Sequence, residues 1–261
     1  GKWVKISVKE EGIYQLTAKQ LKQNGFADIN RVKIYGYGGR MIPETWDFTS
    51  DNQTPDDLCE VSTYISDDKL FFFAEGTTRW TSTRHENNPY STASCYFVTE
   101  GDQPLRIATS QQTSSSSVSC AVITHHVVLD SDEAGFYEGG RELYDGHNFA
   151  EGNSHTFKLA TPSIMPNGTA NVDIAFAASS KTTTSVGIIL NNAYKLPSIS
   201  VSAYGSDESA RESRKSYDIP TSRFAETNAF KFTVSPVATS RLNYIRIHYP
   251  RQLKATDAPY A

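Results

Sequence analysis

The sequence is short of sulfur-containing residues and of long apolar runs. Its 261 residues include two methionines and three cysteines, Cys59, Cys95 and Cys120. An odd number of cysteines without a Cys-x-x-Cys pair argues against a disulfide framework and against a zinc knuckle. We therefore expect all three to pack as small apolar side chains. No apolar run approaches the roughly 20 residues of a spanning helix, so we expect no membrane span.

Cationic residues are also scarce. The chain has 25 Lys and Arg against 29 Asp and Glu, which gives a formal net charge of −4, and it has no basic run. Proteins that bind nucleic acids usually carry a basic patch. The charge balance therefore argues against a nucleic-acid partner.

Aromatic and hydroxyl side chains are abundant instead. The 14 Tyr and 13 Phe, together with many Ser and Thr, are typical of an exported, β-rich protein. The chain begins at Gly1 directly before a predicted strand, which indicates that a leader has been removed.

Residues 1–103 are predicted to form a β-rich module with one short helix. Residues 3–8 alternate apolar and polar side chains, as a half-buried strand does. Further strands are predicted at 13–16, 32–35, 60–65, 70–75 and 94–99. The segment between the last two is predicted to be a polar loop that carries aromatic side chains.

The helix of this module is predicted from its ends. Thr17 and Gln20 have the spacing of a capping box, which places the helix at 18–24. Gly25 then fits the left-handed position that ends a helix.

Residues 104–261 are predicted to form an antiparallel β-sandwich of the jelly-roll kind. The Ser-rich stretch 109–118 near its start predicts a flexible segment or an exposed hairpin turn. The strands are predicted at 119–129, 154–159, 170–177, 185–190, 198–204, 230–234 and 243–249.

The last of these strands has a clear alternation. Ile245, Ile247 and Tyr249 share one face, which we expect to lie in the sandwich core. Arg246 and His248 then point to the wetter face. The fold class is thus mainly β: a small β-rich module followed by the sandwich.

The turn Gly36-Tyr37-Gly38-Gly39 follows a predicted strand, so it could bind phosphate. However, it lacks the spacing, the following helix and the lysine of the known phosphate loops. The sequence favours a tight turn, and no cofactor is expected.

Cysteine-peptidase chemistry needs a thiolate with an imidazole within hydrogen-bonding reach. No βαβ pattern supplies strand ends for such a pair. His125 and His126 are neighbours in a predicted strand and point to opposite faces, so we do not expect them to share a metal ion. Asp130, Asp132 and Glu133 could contribute to a calcium site, with solvated turn acids as the alternative.

Four segments carry a resemblance to a known family. They are residues 2–40 with the glycine turn, residues 85–98 with Asn87-Asn88-Pro89-Tyr90, residues 136–149 with Gly140-Arg141 and Tyr144-Asp145-Gly146, and the strand 244–249 before Pro250-Arg251. They resemble the N-terminal, non-catalytic region of the gingipain-like cysteine peptidases of Bacteroidetes, in particular the PorU-type sortases of type IX secretion.

The resemblance implies an exported modular protein at the cell surface, associated with the outer membrane or in the periplasm. Its full-length form would be a cysteine endopeptidase that removes sorting signals from cargo and attaches the cargo to the cell surface. The family's catalytic His and Cys region is absent here. The implied role is therefore docking, shielding or positioning of a downstream peptidase domain, with other secretion-system proteins as further partners.

The loop containing Tyr137, Arg141 and Tyr144 is the predicted interdomain contact. Two interpretations are open: an ordered surface loop whose Arg clamps an acceptor, or a surface that contacts the peptidase domain. The alternative function is a surface adhesion or carbohydrate-binding protein that stacks sugars on Trp80, Tyr90, Tyr137 or Tyr144. A self-contained enzyme would need His125 or His147 beside a carboxylate of raised pKa.

Overall fold

The computed structural model describes residues 1–39, 41, 57–108, 120–138, 142–205 and 208–253. Strands account for 55% of the structure and helix for 5%, which confirms the mainly β fold. The described residues fall into two compact units, 1–108 and 120–253. Residues 109–118, where a flexible segment or an exposed hairpin turn is predicted, lie outside the described residues. No helix in the described residues is long and apolar enough to cross a membrane.

The first unit contains three antiparallel sheets. Their strand orders are β1-β9-β3-β4, β2-β6-β5 and β7-β8. The two larger sheets share one core, in which Ile34, Val98 and Leu70 are at most 2% exposed. The strands are β1 (Val4–Val8), β2 (Gly12–Thr17), β3 (Val32–Tyr35), β4 (Glu60–Val61), β5 (Thr63–Ser66), β6 (Lys69–Ala74), β7 (Thr78–Thr81), β8 (Arg84–Asn87) and β9 (Ser94–Glu100).

Two differences from the predicted module are informative. The predicted loop after β6 contains the hairpin β7–β8, in which Trp80 pairs with His85. Leu105 and Ile107 exchange backbone hydrogen bonds with Thr63, so the chain just after β9 pairs with the first unit. The division of the chain at 103/104 stays a prediction.

The helix α1 (Ala18–Gln23) begins where predicted and ends one residue earlier than predicted, with the expected capping groups at both ends. The backbone N–H of Gln20 donates to the Thr17 hydroxyl at 3.2 Å, and the Gln20 side chain accepts from the Thr17 N–H at 2.9 Å. Asn24 is the C-cap and Gly25 follows with φ of 83°. Both the capping box and the left-handed glycine are confirmed.

Thr17→Ala should lower the free energy of unfolding by about 1 kcal/mol, because an early N–H of α1 loses its acceptor. A helix of six residues cannot hold itself in water, so the cap matters. Urea denaturation of Thr17→Ala and of the matched Thr17→Ser variant measures the difference. If the serine variant, which keeps the hydroxyl, is destabilised as much as the alanine variant, the cap is not the cause.

The second unit is a sandwich of two four-stranded antiparallel sheets, β10-β17-β12-β15 and β11-β16-β13-β14. Its core is shared by both sheets and includes Phe176, Phe232 and Ile188, all fully buried. The strands are β10 (Val122–Asp130), β11 (Ser154–Ala160), β12 (Thr169–Ser179), β13 (Thr184–Leu190), β14 (Tyr194–Val201), β15 (Arg211–Pro220), β16 (Thr227–Ser235) and β17 (Thr239–Gln252).

The strand β15 is absent from the prediction. It reads Arg-Glu-Ser-Arg-Lys-Ser-Tyr-Asp-Ile-Pro, and only Tyr217 and Ile219 are buried in it. It is an edge strand, so one face and one edge meet water. This position explains why its apolar alternation is too short to detect.

The faces of β17 follow the predicted alternation. Ile245, Ile247 and Tyr249 are at most 1% exposed and lie in the core. The prediction that Arg246 faces water is wrong, because Arg246 is 8% exposed. Since β17 lies between β10 and β12, its outer face is covered by neighbouring side chains. His248 on the same face is half-buried.

Candidate functional site

The segment after β10 contains two of the predicted contact residues, Tyr137 and Tyr144, among the described residues. Tyr144 and Ala134 exchange two backbone hydrogen bonds of 2.8 and 2.9 Å, so the loop closes as a short bridge. The ring of Tyr144 lies edge-on to Phe136, with centroids 5.0 Å apart. Tyr144 is 8% exposed and Tyr137 is 61% exposed. Arg141 lies outside the described residues.

The side-chain amide of Asn243 connects this loop to the sheet by hydrogen bonds to two glutamates. The side-chain amide of Asn243 in β17 donates to Glu142 Oε1 at 2.7 Å and to Glu212 Oε2 at 2.5 Å. Burial raises the pKa of Tyr144 to about 12, and the negative charges of Glu212 and Glu142 add to the effect. The phenol therefore stays neutral, and the base of the loop is held to the sheet by the hydrogen bonds of the buried Asn243.

The two tyrosines of the loop have different positions and therefore different roles. Tyr144 packs inward and holds the loop in place, whereas Tyr137 presents an aromatic ring to solvent. An exposed tyrosine on a fixed loop is a low-entropy contact for a partner, because its side chain has only two rotatable angles. The Asn243 anchor could not be found from sequence, since Asn243 is 101 residues from Glu142.

An ion pair lies on the same outer sheet face. Arg246 donates to Asp173 Oδ2 from Nε at 3.2 Å and from Nη2 at 2.8 Å. Ser216 donates to the other carboxylate oxygen, and the Arg246 guanidinium lies 5.1 Å from the ring of Tyr244. Burial disfavours the charged carboxylate, but the bonds from Ser216 and Arg246 outweigh it and lower the pKa of Asp173.

The histidines of β10 lie on opposite faces of the sheet, as predicted: His125 pairs with Tyr249 of the core face and His126 with His248 of the outer face. The rings of His125 and His126 are nearly parallel, with centroids 5.8 Å apart. Burial, with help from Arg251 and His126, lowers the pKa of His125 to about 4. His126 also meets His248, at 6.1 Å. Within the described residues, no group of three or more His, Cys, Asp or Glu side chains could hold a metal ion.

A second histidine pair lies at the aromatic end of the sandwich core. His147 and His155 stack with ring centroids 4.0 Å apart, and each ring also contacts a core phenylalanine, Phe149 or Phe157. Burial, then the charge of His155, lowers the pKa of His147. The contact of His147 with Asp145 is through its backbone N–H, so this carboxylate does not orient the ring.

The thiols are more exposed than the sequence suggests. Cys59 and Cys120 are exposed and Cys95 is half-buried. The prediction that all three are packed apolar side chains is therefore wrong for Cys59 and Cys120, which lie outside the ends of β4 and β10 where no core covers them. The Cys120 thiol donates to the Val122 carbonyl at 3.2 Å.

The glycine turn 36–39 packs closely against neighbouring protein groups. The N–H of Gly39 donates to the Gly76 carbonyl at 3.1 Å, and a Cβ at Gly39 would come within 2.9 Å of that oxygen. Gly38 has φ of 80°. The side-chain amide of Asn88 donates to the Gly39 carbonyl at 2.8 Å. The turn is thus closed by protein groups, as a tight turn requires, and the loop Asn87-Asn88-Pro89-Tyr90 fastens it.

The sugar-stacking candidates of the first unit lie on and beside the β7–β8 hairpin. Trp80 contacts His85 with ring centroids 5.6 Å apart, and Tyr90 is 79% exposed. A cavity of about 210 Å³ adjoins the hairpin and is lined by Glu11, Glu75, Gly76, Thr78, Arg79 and Trp80.

Neither protein-family models nor curated proteins give a match to this sequence. Among solved structures, the chain is similar to the dimeric latent PorU of Porphyromonas gingivalis, with a TM-score of 0.84 and 24% identity. The similarity covers 99% of this chain and 25% of that one. The chain therefore has the fold of a PorU-like N-terminal region and spans a quarter of the length of PorU.

Two weaker similarities concern carbohydrate-binding proteins. The CBM35 of Cellvibrio japonicus Abf62 matches with a TM-score of 0.35 and 12% identity over 51% of this chain and 100% of its own. The GH26-CBM35 β-(1,4)-mannanase of Podospora anserina matches with a TM-score of 0.28 and 14% identity, over 52% of this chain and 29% of its own. At these TM-scores neither similarity supports a conclusion about this chain.

Proposed function

We propose that the chain is the non-catalytic N-terminal module pair of an exported gingipain-like cysteine peptidase, a type IX secretion sortase. In this proposal it docks on, shields or positions a peptidase domain that belongs to the longer protein. The observation that carries the proposal is the fold similarity to PorU, which extends over nearly the whole chain but only a quarter of PorU. The exported, cell-surface location and the other secretion-system partners belong to the same proposal.

The contact surface in this proposal is the loop with Tyr137, Arg141 and Tyr144. Support comes from the anchor of Glu142 and Glu212 on Asn243, which fixes the loop on the sheet while Tyr137 stays 61% exposed. Tyr137 lies three residues after Ala134, whose backbone pairs with Tyr144, and an exposed tyrosine ring loses little entropy when it binds a partner.

Photo-cross-linking in the full-length protein tests this surface. Replacing Tyr137 with benzoylphenylalanine should give a cross-link from the loop to the peptidase domain, mapped by mass spectrometry. Tyr90, at 79% exposed, is the matched control on the first unit and should not give that cross-link. Absence of the cross-link from position 137, or an equal yield from position 90, would contradict the proposed contact.

A carbohydrate-binding function is the second candidate, and the cavity beside Trp80 favours it. The cavity is lined by the indole of Trp80 and by the polar side chains of Glu11, Glu75 and Arg79. This combination suits a sugar ring, which can stack on the indole and form hydrogen bonds with the polar groups. Glycan-array binding that disappears in Trp80→Ala and persists in Tyr137→Ala would favour this function.

The proposed module needs no cofactor. Calcium at the acidic segment of Asp130, Asp132 and Glu133 is the alternative; because these side chains are not grouped as a metal site, it would need further oxygen ligands such as backbone carbonyls. A rise in melting temperature on adding Ca²⁺, reversed by a chelator, would favour that alternative.

A further inference from the structure

The outer face of the sheet β11-β16-β13-β14 has an unusual charge composition. Its four strands contain three lysines, Lys158, Lys195 and Lys231, and neither Asp, Glu nor Arg. The chain as a whole has more acids than bases. The other sheet of the sandwich carries both signs, as in the Asp173–Arg246 pair. The cationic character is therefore specific to this face.

The strand register places the three lysines on one surface. Lys231 and Lys195 are the direct partners of Ile189 on its two sides, so their Cα atoms are about 10 Å apart across two strand spacings. Thr156 is the partner of Lys231, and Lys158 lies two residues further along the same strand. All three side chains therefore project from the face opposite the core.

The lysines are free to meet a ligand. Each is exposed, and none forms an ion pair with another described residue. The other outward side chains are small or polar, apart from the half-buried Ile189 and the exposed Pro197, and include Ser154, Thr156, Thr227, Thr233, Ser185 and Ser200. The face therefore offers mobile ammonium groups on a flat hydroxyl-bearing surface.

We propose that this face, which we call the lysine face, docks on a surface of anionic lipid headgroups. The charge is complementary, because lysines on strands that contain no acidic residue attract a negatively charged surface. The shape fits as well, since the three lysines project from one face of a single sheet toward a common plane. The proposal goes beyond the docking function proposed above and does not depend on it.

The chemistry of the face argues against other anionic partners. Protein interfaces usually have an apolar centre with aromatic and arginine anchors, and the outward residues here include neither aromatic rings nor Arg. Single-stranded nucleic acids need aromatic side chains for base stacking, which this face lacks. Lysine is a flexible point charge, which suits a fluid layer of headgroups rather than one fixed ligand geometry.

Vesicle co-sedimentation of the full chain tests the proposal. The parent protein should bind vesicles of phosphatidylcholine with about 30% phosphatidylserine and not vesicles of phosphatidylcholine alone, because the anionic lipid supplies the surface potential. The binding should weaken steeply as salt rises, since screening shortens the reach of the lysines to about 3 Å at 1 M.

Two triple variants separate the lysine face from general charge. K158Q/K195Q/K231Q should bind anionic vesicles about 100-fold more weakly, from about 1 kcal/mol per lysine near the surface. K19Q/K22Q/K69Q removes the same charge from exposed lysines of the first unit and should stay within about threefold of the parent. Thermal melts check that both variants remain folded.

Three outcomes would overturn the proposal. They are equal binding of the parent to neutral and anionic vesicles, equal loss of binding in the two triple variants, and binding to soluble dextran sulfate without binding to vesicles. The last result would assign the face to a soluble polyanion instead.

Discussion

Ile247→Ala should lower the free energy of unfolding of the second unit by about 2–5 kcal/mol. Ile247 is fully buried and lies in the middle of β17, where it pairs with Val127 of β10 and Val172 of β12. Removing its three outer carbons loses apolar burial and leaves a cavity that close-packed neighbours on two strands cannot fill.

Denaturant unfolding monitored by far-ultraviolet circular dichroism, which reports on the loss of β-structure, measures this cost. The matched control is His248→Ala, one residue further on the opposite face. His248 is half-buried and its replacement should cost under about 1 kcal/mol. A larger cost for His248 than for Ile247 would show that the faces of β17 are assigned wrongly.

Asp173→Ala should cost about 3–5 kcal/mol, because it breaks a largely buried ion pair and removes the Asp173 carboxylate from the Arg246 guanidinium. The side chains of Arg246 and Asp173 are only 10% and 18% exposed, so solvent replaces the lost contact poorly. Asp218→Ala is the matched control: Asp218 is exposed on the edge strand of the same sheet and should change stability by about 0.5 kcal/mol or less.

The ion pair of Asp173 and Arg246 also makes the stability of the folded protein depend on pH in the acid range. The pKa of Asp173 is lower in the folded protein than its usual value, so the unfolded state binds the proton more readily. The stabilisation is therefore complete above the unfolded pKa of about 3.9 and is lost as the pH falls through the lower folded pKa. Thermal melts between pH 2 and 6 should show the parent losing more stability in acid than Asp173→Ala does. Equal acid sensitivity of the two proteins would contradict this account.

Local patterns in the sequence predicted the parts of the fold that depend on neighbouring residues. The capping box of Thr17 and Gln20 spans four positions, and the alternation of Ile245, Ile247 and Tyr249 repeats every second residue. Each signal is contained in one element. The tight turn at Gly36–Gly39 was also predicted from sequence, because no helix or lysine follows it as in the phosphate-binding loops.

Features that depend on strand order could not be predicted in this way. Arg246 is buried because β17 is a central strand and because Asp173, 73 residues away, faces it. The fully buried amide of Asn228 is another example: it bonds to Thr161 at 2.9 Å and to Asn191 at 3.0 Å. Nothing local to Asn228 indicates either partner, so only the three-dimensional register reveals such contacts.

The candidate loop shows the same limit. Its tyrosines were found from sequence, but their different roles were not. Tyr144 turns inward because its backbone pairs with Ala134, and Tyr137 in the same segment remains exposed. A list of aromatic residues does not distinguish an anchor from a contact; the hydrogen bonds of the loop do.

The central position of β17 has a consequence for the order of assembly. A ribosome releases the chain from its N-terminus, so β10 and β12 both end at least 60 residues before the start of β17, the strand that joins them. Until Thr239–Gln252 arrives, both present unpaired backbone edges that can pair with other chains. The sheet can close only after the last strand has inserted between them, and such long-range closure is slow. A ribosome stalled before residue 239 would therefore hold an incomplete sandwich that a chaperone can bind.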